Sequence, residues 1–189
     1  MASPLDDLAR EASACTRCPL AATRTNVVFG VGDPDADLMF VGEAPGRDED
    51  LQGEPFVGRS GQLLDRLVLE ELGLTRDRFY IANTLKCRPP GNRDPQPEEI
   101  ATCRPFLERQ VELIGPRVIV TLGNFSTKLL LDTKEGITKL RGRTYPYGRA
   151  VLVPTFHPAA ALRGGGETVA KMRADLIRAK EAMASGAVA

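Results

Sequence analysis

Asp37-Leu-Met-Phe-Val41, followed at once by Gly42-Glu-Ala-Pro-Gly46, is the stretch that decides the fold. A short apolar run closed by turn residues reads as a buried strand running into a loop. The pattern recurs at Phe79-Tyr-Ile-Ala-Asn83, Arg117-Val-Ile-Val-Thr-Leu122 and Ala150-Val-Leu-Val153. Helical segments separate these strands. Ser60 is placed to cap a helix with Leu63, Leu64, Leu67 and Val68 on one face, ending at Gly73. Pro97-Glu98-Glu99 opens a second helix to about Ile114, a short one follows Gly123-Asn124 as far as Leu131, and a last one runs from about Glu167 to Ala184. Ser3 and Pro4 start a further amphipathic helix reaching Ala14. Lys86 to Gln96, with three prolines and one glycine, reads as loop. Such alternation predicts an α/β domain, a parallel sheet covered by helices on both faces. Ligands of these sheets bind at the carboxyl ends of the strands.

The length of 189 residues suits a single domain over 1–189, with 1–36 as its N-terminal segment. With 42% hydrophobic and 26% charged residues, the composition excludes a disordered, collagen-like or coiled-coil chain. The apolar runs fall far short of the ~20 residues that span a bilayer, so no membrane contact is expected. The N-terminal MASPLDDLAREAS carries no apolar core of a signal peptide, which makes the cytoplasm the expected location.

Zero net charge hides an asymmetry. Residues 1–60 carry 5 basic and 11 acidic side chains, whereas residues 134–180 carry 10 basic and 3 acidic ones. A basic C-terminal quarter is suited to a polyanion, although a solvated surface would look the same.

Four cysteines stand at Cys15, Cys18, Cys87 and Cys103. The first two form a C-x2-C, whose tight loop turns both sulfurs toward one centre. Four thiolates suit a structural zinc or an iron–sulfur cluster, and spacing alone does not choose between them.

Three loops after strands hold unusual residues: Gly42-Glu43-Ala44-Pro45-Gly46, Asn83-Thr84 and His157-Pro158. The glycines allow a ligand close to the backbone. Gly53-Glu-Pro-Phe-Val-Gly-Arg-Ser-Gly61 places Phe56 in a turn-rich segment of a chain with only 5% aromatic residues. His157 is the one histidine, directly after a strand and before a proline.

Taken together, Gly42-Glu-Ala-Pro-Gly46 with Glu49-Asp50, Gly53 to Gly61, Asn83-Thr-Leu-Lys-Cys-Arg-Pro-Pro90 and His157-Pro-Ala resemble the family 4 uracil-DNA glycosylases, from Cys15 to about Asp175. The resemblance implies a three-layer domain with a central four-stranded parallel sheet flanked by helices. It also implies a 4Fe-4S cluster on Cys15, Cys18, Cys87 and Cys103, with zinc the lesser alternative, stapling the N-terminal helix to the loop beyond Asn83. The implied activity is DNA repair: uracil is flipped out of DNA and its N-glycosidic bond hydrolysed. One departure is that Ala159-Ala-Ala-Leu-Arg163 runs into Gly164-Gly-Gly166, where the family continues through a leucine-rich stretch.

By the same resemblance Phe56 stacks on the uracil and Asn83 reads its edge. Glu49 fills the space that thymine's methyl would need, and His157 stabilises charge on O2. Glu43 holds water or stabilises the sugar cation, with backbone N–H groups of Gly42 and Ala44 adding contacts to O2. Arg59 and Ser60 begin a helix whose N-terminus suits a phosphate. Leu162 is the expected wedge, Arg163 its alternative. Arg141, Arg143, Arg149, Arg163, Lys171 and the Lys86–Arg93 loop are the expected surface for single- or double-stranded DNA, bound by a monomer. The competing readings are a non-catalytic metal-stapled nucleic-acid-binding module and a superfamily branch with altered base specificity.

Overall fold

The computed structural model describes residues 2–186; residue 1 and residues 187–189, the ends of the expected domain, lie outside the described residues. The elements are α1 (Pro4–Ser13), β1 (Val31–Gly32), β2 (Leu38–Gly42), α2 (Arg47–Gln52), α3 (Arg59–Leu72), β3 (Tyr80–Asn83), α4 (Pro97–Ile114), β4 (Val118–Leu122), α5 (Asn124–Leu131), α6 (Ile137–Leu140), β5 (Tyr145–Tyr147), β6 (Ala150–Thr155) and α7 (Pro158–Ala184).

The sheet has six strands in the order β1-β3-β2-β4-β6-β5, not four. The four strands expected from sequence, β3, β2, β4 and β6, pair in parallel at its centre. Short β1 and β5 add antiparallel edges, making the sheet mixed. Both edges contain glycine, proline or only two residues, which hides them from an apolar-run reading and also suits strands at a sheet margin.

Side-chain alternation divides the sheet between two cores. Leu38, Phe40, Val118, Val120 and Val153 pack with α3 and α7 on one face. Met39, Val41, Ile119 and Leu152 pack with α4 and α5 on the other. These give three layers around a sheet buried on both sides.

One helix assignment is corrected and another is extended. Gly58, not Ser60, is the N-cap of α3, and Ser60 sits within the first turn. The last helical segment begins just beyond Gly165, which has φ 67° and ψ −157°, close to the expected start near Glu167; a short helix from Pro158, which the sequence did not signal, precedes it and is counted with it in α7. The glycine run therefore separates two helical segments. No helix among the described residues is long and apolar enough to cross a membrane.

Neighbouring strands β2 and β4 lead in opposite directions, the chain leaving β2 through α3 on one face of the sheet and leaving β4 through α5 on the other. The loops after the parallel strands consequently part at one edge and leave a crevice.

Candidate active site

A cavity of about 530 Å³ fills that crevice. Its walls bring together Glu43, Ala44, Glu49, Phe56, Asn83 and His157, residues distant in sequence but expected to converge. Glu43, Ala44, Asn83 and His157 are placed by strand ends or the loops beyond them, Glu49 by α2, and Phe56 by the segment between α2 and α3.

Asn83 closes β3 and is 1% exposed. Its Oδ1 is buried without a hydrogen-bond partner. An orphaned acceptor costs about 1–3 kcal/mol, which a ligand N–H aimed at it would recover. The Asn83 main chain is held from behind. Lys86 Nζ donates to its carbonyl at 2.8 Å, and Lys86 is itself 1% exposed. Burial pushes the Lys86 ammonium down to about 8. Lys86 is therefore not part of a DNA-facing surface.

Gly42 has no room for a side chain. A Cβ there would lie 2.4 Å from Asn83 Oδ1 and 2.6 Å from Phe56 Cζ. The glycine lets the edge-reading amide and the aromatic wall close on one point. Phe56 itself is buried, and its ring centroid is 5.6 Å from that of His157, with the planes tilted by 32°.

Glu49 is doubly engaged. Its Oε2 accepts from the Gly46 N–H at 3.1 Å, and its Oε1 accepts from the Val57 and Gly58 N–H groups at 3.1 and 3.2 Å. The carboxylate thus ties the first strand-end loop to the loop carrying Phe56. Sequence reasoning assigned it bulk and missed this clasp.

His157 is the N-cap of α7, its Nδ1 accepting from the Ala159 N–H at 3.1 Å. Burial first, then the charge of Arg163, holds the imidazole down at about 4, with Glu49 opposing. Glu43 moves the other way, raised to about 7 by burial and by Asp94. Both shifts favour the neutral form, the direction burial imposes on a carboxyl and on an imidazole alike.

Asn124, Phe125, Ile137 and Phe156 complete the outer wall, and the sequence reading named none of them as site residues. Their position after β4 and β6 was the available signal.

The expected DNA-facing residues divide. Ser60 and Arg163 line the cavity, and Leu162 and Arg59 are exposed beside residues that do. Arg143 is exposed and, preceding β5, lies level with the carboxyl end of β6. Arg141 is corrected to an internal ion pair: half-buried itself, its guanidinium donates to both oxygens of fully buried Asp175 at 2.9 Å. Lys171 is occupied by Glu167 at 2.6 Å. Arg149 precedes Ala150, at the opposite end of β6 from the cavity.

A second, smaller cavity is lined by all four cysteines, none of them in a disulfide. Three sulfurs receive N–H groups: Arg17 Nε on Cys15 at 3.4 Å, Arg24 Nη1 on Cys87 at 3.4 Å and the Lys86 amide on Cys103 at 3.3 Å. Four thiols around one cavity, with N–H groups aimed at three of them, are a donor set of the kind that thiolate-held metal centres, zinc or iron–sulfur, use. Among the described residues no group of three or more His, Cys, Asp or Glu is arranged to hold a metal ion.

An aromatic ring, an unpaired amide oxygen and an imidazole thus meet at the strand ends of an α/β sheet, where proteins of this class bind their ligands. The sequence model of the uracil DNA glycosylase superfamily matches residues 29–179, and the chain belongs to that family. Within it the chain is similar to type-4 uracil-DNA glycosylases. That of Saccharolobus solfataricus is 50% identical over 84% of this chain and 77% of its own. That of Sulfurisphaera tokodaii is 48% identical over 84% and 76%, and that of Thermotoga maritima 51% over 79% and 78%.

Proposed function

We propose that this chain is a uracil-DNA glycosylase of the type-4 kind, releasing uracil from DNA and leaving an abasic site. The observation that carries the reading is the orphaned Asn83 Oδ1 inside a cavity walled by Phe56 and His157. A purely binding module has no need of a base-sized recess with an unpaired acceptor at its floor.

The bond to be broken leaves a poor anion on the base and positive charge on the sugar. Uracil enters flipped from the stack, at a cost of a few kcal/mol. Its face lies on Phe56, an interaction worth roughly 1–3 kcal/mol and indifferent to base identity. Asn83 supplies identity: Oδ1 accepts from N3–H while the amide NH2 donates to O4. Cytosine presents the reverse pattern and leaves both unpaired, a penalty on the order of 10⁴-fold. Glu49, fixed by three amides, walls the C5 side.

The His157 ring accepts at Nδ1, so its neutral form carries the proton on Nε2. That N–H donates to O2 as negative charge develops there, and N–H groups near Gly42 and Ala44 add to it. Glu43, ionised, faces the sugar, where it holds water or stabilises the cation. Arg59, Ser60, Arg143 and Arg163 meet phosphates, and Leu162 fills the gap left by the base.

Cys15, Cys18, Cys87 and Cys103 would hold a 4Fe-4S cluster. Held by four thiolates, such a group would supply structure, tying the N-terminal segment to the segment after Asn83, rather than hydrolysis. The protein is taken to act as a cytosolic monomer.

The test is incubation with an oligonucleotide containing one uracil, followed by alkaline cleavage at abasic sites. Strand scission at the uracil alone is expected, and an intact strand overturns the reading. Anaerobically purified protein should be brown with about four irons per chain; colourless protein with stoichiometric zinc rejects the cluster.

A further inference from the structure

Phe56 has φ 54°, in the left-handed region that disfavours a residue with a β-carbon. An aromatic persists there only where its surroundings over-determine it. Glu49 takes the N–H groups of Val57 and Gly58, the residues after it. The carbonyls are gripped separately. Arg76 Nη1 donates to the Pro55 carbonyl at 2.8 Å, and Arg76 Nη2 donates to the Phe56 carbonyl. Asp65 on α3 orients the guanidinium, its Oδ1 accepting from Arg76 Nε at 2.6 Å. The Phe56 carbonyl is also pressed against the first turn of α3, where a Cβ on Gly61 would stand 1.6 Å from it. Arg76 follows α3 in sequence and is not among the residues lining the cavity.

We propose that Arg76, oriented by Asp65, is a positioning residue for base excision: it locks the strained Phe56 backbone so that the ring presents its face to the extruded base. The proposal rests on the reading of Phe56 as the stacking wall. A guanidinium is suited to the task because three of its donors, in one plane, reach two successive carbonyls and a carboxylate together. A lysine at the same place offers a point charge and cannot hold that fork. Arg76 touches neither base nor sugar, so its whole effect passes through Phe56.

The claim is tested by a double-mutant cycle on single-turnover uracil release, using Arg76→Met, Phe56→Ala and the double variant, with affinity for uracil-containing DNA measured beside each rate. Phe56→Ala and Arg76→Met should each slow release about tenfold or more, with affinity little changed. In the Phe56→Ala background Arg76→Met should cost less than about twofold, since the ring it positions is gone. Arg76→Lys should show the same pattern and serves for the cycle if Arg76→Met does not fold. Equal losses in both backgrounds would assign Arg76 a general structural role and overturn the proposal, as would an Arg76 variant that cleaves at the wild-type rate. A Phe56→Ala protein of unaltered rate would instead reject Phe56 as the stacking wall, and the positioning role with it.

Discussion

The Ala159 N–H donates to His157 Nδ1 at 3.1 Å, which makes one ring both the cap of α7 and a wall of the cavity. Pro158 occupies the first helical position, where its missing N–H is no loss. The motif His-Pro-Ala therefore describes a helix start as much as a catalytic residue. The cap holds the ring in a single orientation and places the proton of the neutral imidazole on Nε2.

The two roles separate by substitution. His157→Ala should lower single-turnover cleavage by about 10²-fold or more, and should also lose a cap worth about 0.5–2 kcal/mol. His157→Asn keeps a capping oxygen but stops short of Nε2. It should show the same loss of rate with thermal stability close to wild type. Normal cleavage by His157→Asn would move the stabilisation of O2 to the backbone amides near Ala44.

The pH profile should identify Glu43 rather than His157. Glu43 titrates at about 7 and His157 at about 4. If ionised Glu43 is the working form, activity falls as pH drops through about 7, and Glu43→Gln should be slow but flat across that range. Stability moves the opposite way. The folded state binds its Glu43 proton more tightly than the unfolded chain, so this group destabilises the fold progressively as pH rises from about 4.5 to about 7. Glu43→Gln should accordingly raise the melting temperature more at pH 8 than at pH 5. An acid limb that survives in Glu43→Gln would assign the titration to another group.

Apolar runs at 38–41 and 118–122 made the parallel centre of the sheet legible, because strands buried on both faces carry uninterrupted hydrophobic sequence. The edge strands Val31–Gly32 and Tyr145–Tyr147 carry no such run and were not legible. Residues at strand ends, such as Asn83 and His157, followed from the rule for ligand position in α/β sheets. The supports of the site did not. Lys86 stands in a basic, proline-rich stretch that reads as surface, yet it is buried beneath Asn83. Arg141 reads as a phosphate contact until Asp175, 34 residues later, is found against it. Such pairings depend on how helices dock, and sequence spacing carries no trace of them.

Gly42 offers a test of cavity shape without a change of charge. Its φ lies outside the left-handed region, so alanine meets only the crowding of Asn83 Oδ1 and Phe56 Cζ. Gly42→Ala should fold and bind DNA through its phosphate contacts, yet lose uracil release by about 10²-fold, since misplacement by about 1 Å costs that much. Retained activity would show that the base does not sit between Asn83 and Phe56.

Glu49 gives the sharpest departure from expectation by sequence. Read as bulk beside C5, its replacement by alanine should admit thymine. The structure adds a cost, because the carboxylate is the acceptor for the N–H groups of Gly46, Val57 and Gly58. Removing it frees the loop that holds Phe56 in its left-handed conformation. Glu49→Ala should therefore lose uracil cleavage by about tenfold or more, as Phe56 ceases to offer a fixed stacking face, with little thymine release in return. Glu49→Gln keeps both length and an acceptor oxygen, and should retain most of the uracil activity while still excluding thymine. Parallel assays on oligonucleotides with uracil and with thymine opposite guanine decide the matter. Efficient thymine release by Glu49→Ala, with uracil cleavage unimpaired, would show that bulk alone is what Glu49 contributes.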